Sequence, residues 1–107
     1  MAGMQAPYLF PSGAELGTDN VVLQARARRH QVRNYAGPLS IKTVIAGQVG
    51  WLVGGRELLV HPSSFLIIAA GDPYSMNIDE PKPVETCCVF FAPGFVEQAA
   101  YDAYFAA

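Results

Sequence analysis

The chain has 107 residues, enough for one domain with a single core and hardly more. Half of it is apolar (51%) and only 15% is charged, which excludes an intrinsically disordered chain. A net charge of −2 gives no general attraction to nucleic acid or an anionic membrane. The longest strongly apolar run, FLIIAA (65–70), falls far short of the roughly 20 residues that span a bilayer.

Taken in chain order, residues 1–20 read as an arm. They are rich in Gly and Pro and carry the aromatic cluster PYLF (7–10), so they dock locally through Tyr8 and Phe10. MAGMQAPYLFPSG has neither the basic start nor the apolar stretch of an export leader, and a cytoplasmic location is expected. Residues 18–35 satisfy two readings. Thr18 or Asp19 could cap a short helix, whereas RHQVRNY alternates like a strand, which favours a strand over 30–35.

From residue 36 the punctuation is regular. AGP (36–38) turns into LSIKTVI (39–45), where Leu39, Ile41, Thr43 and Ile45 share one face. QVGWLV (48–53) and RELLV (56–60) flank Gly54-Gly55, both of which accept the positive φ of a tight hairpin. HPSS (61–64) turns into FLIIAA, and GDP (71–73) turns into YSMNI (74–78). DEPKP (79–83) reads as an exposed loop before the last strand, VETCCVFF (84–91). Short strands every eight to ten residues predict an all-β sandwich or barrel over 21–92. FLIIAA and CCVFF do not alternate, so both of their faces are expected to be covered, one by the barrel interior and the other by a helix, the arm or a partner chain. Residues 93–107 change character: Pro93 suits a first helical turn, and Val96, Ala100 and Tyr104 repeat on one side of an Ala-rich helix.

Cys87 and Cys88 are adjacent, so in a strand they point to opposite faces and read as two buried, unbridged thiols of a reducing compartment. Four of the seven basic residues, Arg26, Arg28, Arg29 and Arg33, crowd into RARRHQVR (26–33). Without interleaved aromatics or overall positive charge this is a solvated edge or a set of ion pairs, and no direct nucleic-acid binding is expected.

The stretch GPLSIKTVIAGQVGWLVGGRELLVHPSSFLIIAAGDPYSMNI, followed by CVFFAPGFVE, resembles the N-terminal cupin-type effector-binding domain of AraC-family transcription regulators. The shared features are the strand ending in Gly47, the Gly54-Gly55-Arg56 hairpin, the Pro62-Ser63-Ser64 turn and the Gly71-Asp72-Pro73-Tyr74-Ser75 turn. The VFF…GF passage from strand to helix completes them, and the resemblance covers about residues 30–97. It implies a double-stranded β-helix (cupin or jelly-roll) barrel with a C-terminal helix, a small-molecule effector, an arm able to fold over the pocket, and a homodimer. The DNA-binding helix-turn-helix units of such regulators are expected to lie outside this chain.

Metal-binding cupins hold their ion with a His-x-His pair, a Glu and a later His. Here the first pair is replaced by VRNYAGPLS, the Glu position falls close to Ser40, and Tyr74 stands where the last His would be. His30 reads as a strand-edge residue and His61 as a turn residue, so neither a metal site nor a cofactor is expected, and no catalytic group is assigned. Tyr35, Trp51, Tyr74 and Met76 are the candidate ligand-binding residues, an aromatic wall suited to a small apolar or aromatic effector, although such residues also serve as plain core filling. Lys42 and Glu57 alternate with apolar neighbours and are placed on the solvent side. The resulting expectation is a non-enzymatic sensing and dimerisation domain. The alternatives are a small cupin enzyme of isomerase or lyase type, or a ligand-free interaction module.

Overall fold

The computed structural model describes residues 8–105. The first part of the expected 1–20 arm and the last two residues of the expected 93–107 helix lie outside the described residues. Seven strands precede one helix: β1 (Tyr8–Phe10), β2 (Val21–Ala36), β3 (Ser40–Ala46), β4 (Val49–Val53), β5 (Arg56–Val60), β6 (Phe65–Ile68), β7 (Pro73–Phe90) and α1 (Phe95–Phe105). No helix among the described residues is long and apolar enough to cross a membrane.

All pairings are antiparallel, and two long strands organise them. The second half of β7 lies between the first half of β2 and β3, giving one leaf in the order β1-β2-β7-β3-β6. The first half of β7 lies between the second half of β2 and β4, with β5 outside β4. The inner faces of the two leaves form the core, in which Val21, Val44, Trp51, Val60, Ile68, Tyr74, Val84 and Phe90 are buried together. Each such side chain contributes about 1.5–3 kcal/mol by leaving water.

β2 is strand throughout, from Val21 rather than only from residue 30. Its sequence hides this because the inward side changes parity twice. Val21, Leu23, Ala25 and Ala27 face in, then His30 and Val32, then Tyr35. Each switch coincides with a register shift, at Ala27/Arg29 and at Val32/Tyr35. An extra residue in one strand produces such a slip. Asn34 sits in the second with φ 44°, a left-handed conformation that Asn tolerates better than most residues.

The expected DEPKP loop is instead a bowed part of β7. Ala27 pairs with Val84 and Arg29 with Asp79, so the stretch from Glu80 to Pro83 detours opposite Arg28. It stays exposed as expected, and its two prolines sit where no ladder hydrogen bond asks for their missing N–H.

The Gly54-Gly55 hairpin forms as read: Val53 pairs with Arg56, and the two glycines have φ 57° and 79°. Within the single chain FLIIAA and CCVFF are covered on their inner side, and neither the helix nor the described part of the arm closes over the outer one. Ile68 is buried, but Phe65 and Ile67 are 65% and 58% exposed, and β7 alternates between buried and half-buried residues from Val84 to Phe90. Cys88 faces the core and Cys87 is only half-buried on the outer side; both are free thiols. Two of the clustered arginines meet acids across the β2–β7 ladder, Arg26 with Glu85 and Arg29 with Asp79, each at 3.5 Å on the surface.

Candidate functional site

A cavity of about 350 Å³ opens between the inner faces of the leaves. That is room for roughly a dozen water-sized groups. Tyr35, Trp51, Tyr74 and Met76, the four residues singled out in the sequence, all line it. Trp51 comes from β4 and Tyr74 and Met76 from the paired part of β7; Trp51 and Met76 are direct register partners. Tyr35 reaches the cavity through the second slip of β2 and meets Tyr74 edge-on, with ring centroids 5.7 Å apart and planes at 88°. Leu16, from the segment before β2, also lines the cavity.

The residue the sequence reading misplaced is Lys42. It was expected on the solvent side, yet it is 2% exposed and lines the cavity. The cause lies in β3, whose inward face is Ser40, Lys42 and Val44, the more polar of its two faces. Ile41 and Thr43 are half-buried on the outer side, and Ile45 is 48% exposed. Register with β7 enforces this, because Lys42 pairs with Cys88, and Cys88 shares the buried side with Thr86 and Phe90. Glu57, by contrast, is exposed as expected.

Lys42 Nζ donates to the Tyr74 hydroxyl at 2.7 Å in a buried hydrogen bond. The ammonium also lies 4.4 Å from the Tyr74 ring centroid and 4.1 Å from that of Phe90, where the negative faces of the rings attract it. Burial lowers Lys42 from its ordinary 10.5 to about 8, against a smaller opposing pull from Cys88. Burial pushes the Tyr74 phenol far up, with Tyr35 and Cys88 adding to it. Burial also raises the Cys88 thiol, partly offset by Lys42 and by a backbone hydrogen bond at Thr43. At neutral pH the site therefore holds a charged amine beside a neutral phenol and a neutral thiol.

His30 sits on the edge half of β2, as expected, and also lines the cavity. His61 lies on its turn, exposed, with Nδ1 2.9 Å from the Ser63 hydroxyl. Among the described residues no three His, Cys, Asp or Glu side chains converge as metal ligands. A larger hollow of about 580 Å³ lies over Gln31, Asn34, Gln48, Glu57 and Asn77. These side chains are exposed, so that hollow is a wet surface dip. The smaller cavity, walled by buried aromatics around one buried cation, is the candidate site.

No protein-family model and no curated protein matches the sequence. Solved structures do match the fold. The Cupin 2 domain of an XRE-family transcriptional regulator from Enterobacter cloacae is similar over 84% of this chain and 97% of its own, with a TM-score of 0.66 and 15% identity. A Cupin 2 conserved barrel domain protein from Salinispora arenicola is similar over 88% and 81%, with a TM-score of 0.66 and 9% identity. The polyketide cyclase RemF from Streptomyces resistomycificus is similar over 75% and 57%, with a TM-score of 0.56 and 18% identity. At such identities the likeness establishes fold and leaves activity open. Two antiparallel leaves folded around an inner cavity, with a single helix after the last strand, make this chain a cupin-fold domain.

Proposed function

We propose that the chain is the ligand-sensing and dimerisation domain of an AraC-like transcription regulator. The observation that carries this reading is the cavity itself, ligand-sized and walled by Tyr35, Trp51, Tyr74 and Met76. The motifs shared with AraC-type sensor domains and the structural likeness to a regulator's Cupin 2 domain support it. Leu16 gives the arm a place at the cavity, so an occupant would bias the arm's position and through it the attached units. Two copies would pair through the open outer face of the β1-β2-β7-β3-β6 leaf. One apolar row there runs Ile67, Ile41, Val89, Val22, Phe10 across five strands.

Trp51 is the only tryptophan, so its fluorescence reports on the cavity. Titration with small aromatic and sugar ligands is expected to change that emission and raise the melting temperature for at least one class. A chain that turns one of them over instead of only holding it would reverse the reading. The second reading, a small cupin enzyme of isomerase or lyase type, draws on the Lys42–Tyr74 pair, whose lowered amine beside a phenol has the makings of an acid–base couple.

A further inference from the structure

We propose that the molecule received by this cavity carries a carboxylate, bound jointly by the Lys42 ammonium and the Tyr74 hydroxyl. The inference rests on the cavity being a ligand site and names the chemistry of its occupant. Three observations lead to it.

The first is an uncompensated charge. Lys42 is buried, and neither Asp nor Glu lines the cavity. The other polar lining groups are the phenols of Tyr35 and Tyr74, the Thr86 hydroxyl, the His30 imidazole, the Trp51 indole and, as a weak donor, the Cys88 thiol. A cavity rich in donors around one cation, with no anion of its own, complements an acceptor of negative charge.

The second is unused hydrogen-bonding capacity at one spot. An ammonium has three N–H groups, and the bond to Tyr74 is the one hydrogen bond Lys42 Nζ makes among the described residues. Because the Tyr74 oxygen accepts that bond, its own O–H remains to be given. Two donors 2.7 Å apart, both with protons to spare, match the two oxygens of a carboxylate. The rings of Tyr74 and Phe90 hold the ammonium in place from the side, so little reorganisation is needed.

The third is the remainder of the wall. Leu23, Val32, Met76 and Phe90 offer apolar contact and little else, and Trp51 adds a broad ring face with a single N–H. A phosphate or a sugar acid, polar on every side, would leave most of its own groups unpaired against such a wall. A monoanionic acid with an aryl or alkyl body satisfies both halves.

Matched pairs test this with the whole chain: benzoate, phenylacetate, cinnamate and hexanoate against their primary amides, followed by calorimetry and Trp51 emission at neutral pH. The expected result is that at least one acid binds about tenfold or more tightly than its amide. In Lys42→Met that preference is expected to vanish, and in Tyr74→Phe, which keeps the ammonium, to persist in weakened form. Amides that bind as tightly as acids would overturn the carboxylate inference while leaving the ligand site standing. If neither series binds, the site fails and the inference with it. An acid preference that survives Lys42→Met would overturn the assignment to this pair.

Discussion

Replacing Lys42 by Met should make the ligand-free domain more stable at neutral pH, and the gain should shrink as pH rises. The ammonium titrates at about 8 in the folded chain against 10.5 in the open one. At about 1.4 kcal/mol per pKa unit, folding the charged lysine costs about 3 kcal/mol at pH 7. Methionine has similar length, fills the same space and needs no partner. Against this, Tyr74 loses the hydrogen bond it accepts from Lys42, roughly 1–2 kcal/mol if its oxygen stays buried. The net expectation is a gain of about 1–2 kcal/mol. For a domain of this size that corresponds to several degrees in Tm.

Between pH 8 and 10.5 the unfolded chain still holds the lysine proton that the folded chain has released, so the native lysine protein gains stability as pH rises. From pH 7 to 9 the advantage of Lys42→Met should fall by about 1 kcal/mol. The Tyr74 phenol and Cys88 thiol, both raised, act in the opposite sense, as the folded chain keeps protons that the unfolded one loses. Tyr35 and His30 face the same cavity. All four are common to both proteins, and of them Cys88 is the one coupled to Lys42: without the ammonium its thiol is raised further, which adds to the fall in the advantage of Lys42→Met as pH rises. Urea unfolding at pH 7, 8 and 9 measures it. A Lys42→Met protein that is less stable at every pH, with a pH-independent difference, would refute the view of Lys42 as a buried charge held at a cost.

Gly55→Val forces a branched side chain to φ 79° in the β4–β5 hairpin and should lower stability by about 1–2 kcal/mol in urea unfolding. Phe65→Ser with Ile67→Ser removes two exposed apolar groups from the proposed pairing face. Sedimentation equilibrium should show the double variant shifted towards monomer, while the Trp51 emission that reports on the cavity stays as in the unsubstituted chain. Gly37→Ala places a methyl group against the Tyr35 ring, so the ring must turn. Acid binding should weaken several-fold by calorimetry, since Tyr35 lines the site.

Turn chemistry made much of this fold readable. Gly54-Gly55, the Pro62 turn and the Gly71 turn each sit where local residues decide the backbone, and the strands between them follow. The aromatic wall was legible for the same reason, because Trp51, Tyr74 and Met76 alternate within short, uninterrupted segments. Tyr35 follows no such parity and joins them only through a slip in β2. Lys42 was illegible. Nothing in SIKTVI says that the face with more hydrocarbon points outward; that follows from pairing with Cys88, a residue 46 positions away by the numbering of the two partners. An outer face that remains apolar misleads any rule that sends hydrophobic residues inward. The second half of the candidate pair was therefore a tertiary fact.

The bow in β7 between Asp79 and Val84 has a bearing on how such a chain could change length. Adding one residue to a regular strand turns every later side chain over to the opposite side of the sheet. Within the bow, a residue gained or lost is absorbed by the unpaired backbone opposite Arg28. Tyr74 and Met76 on one side, and Thr86, Cys88 and Phe90 on the other, would keep their orientation. The detour thus acts as a slack joint between two halves of one binding wall, letting the surface vary while the interior stays in step.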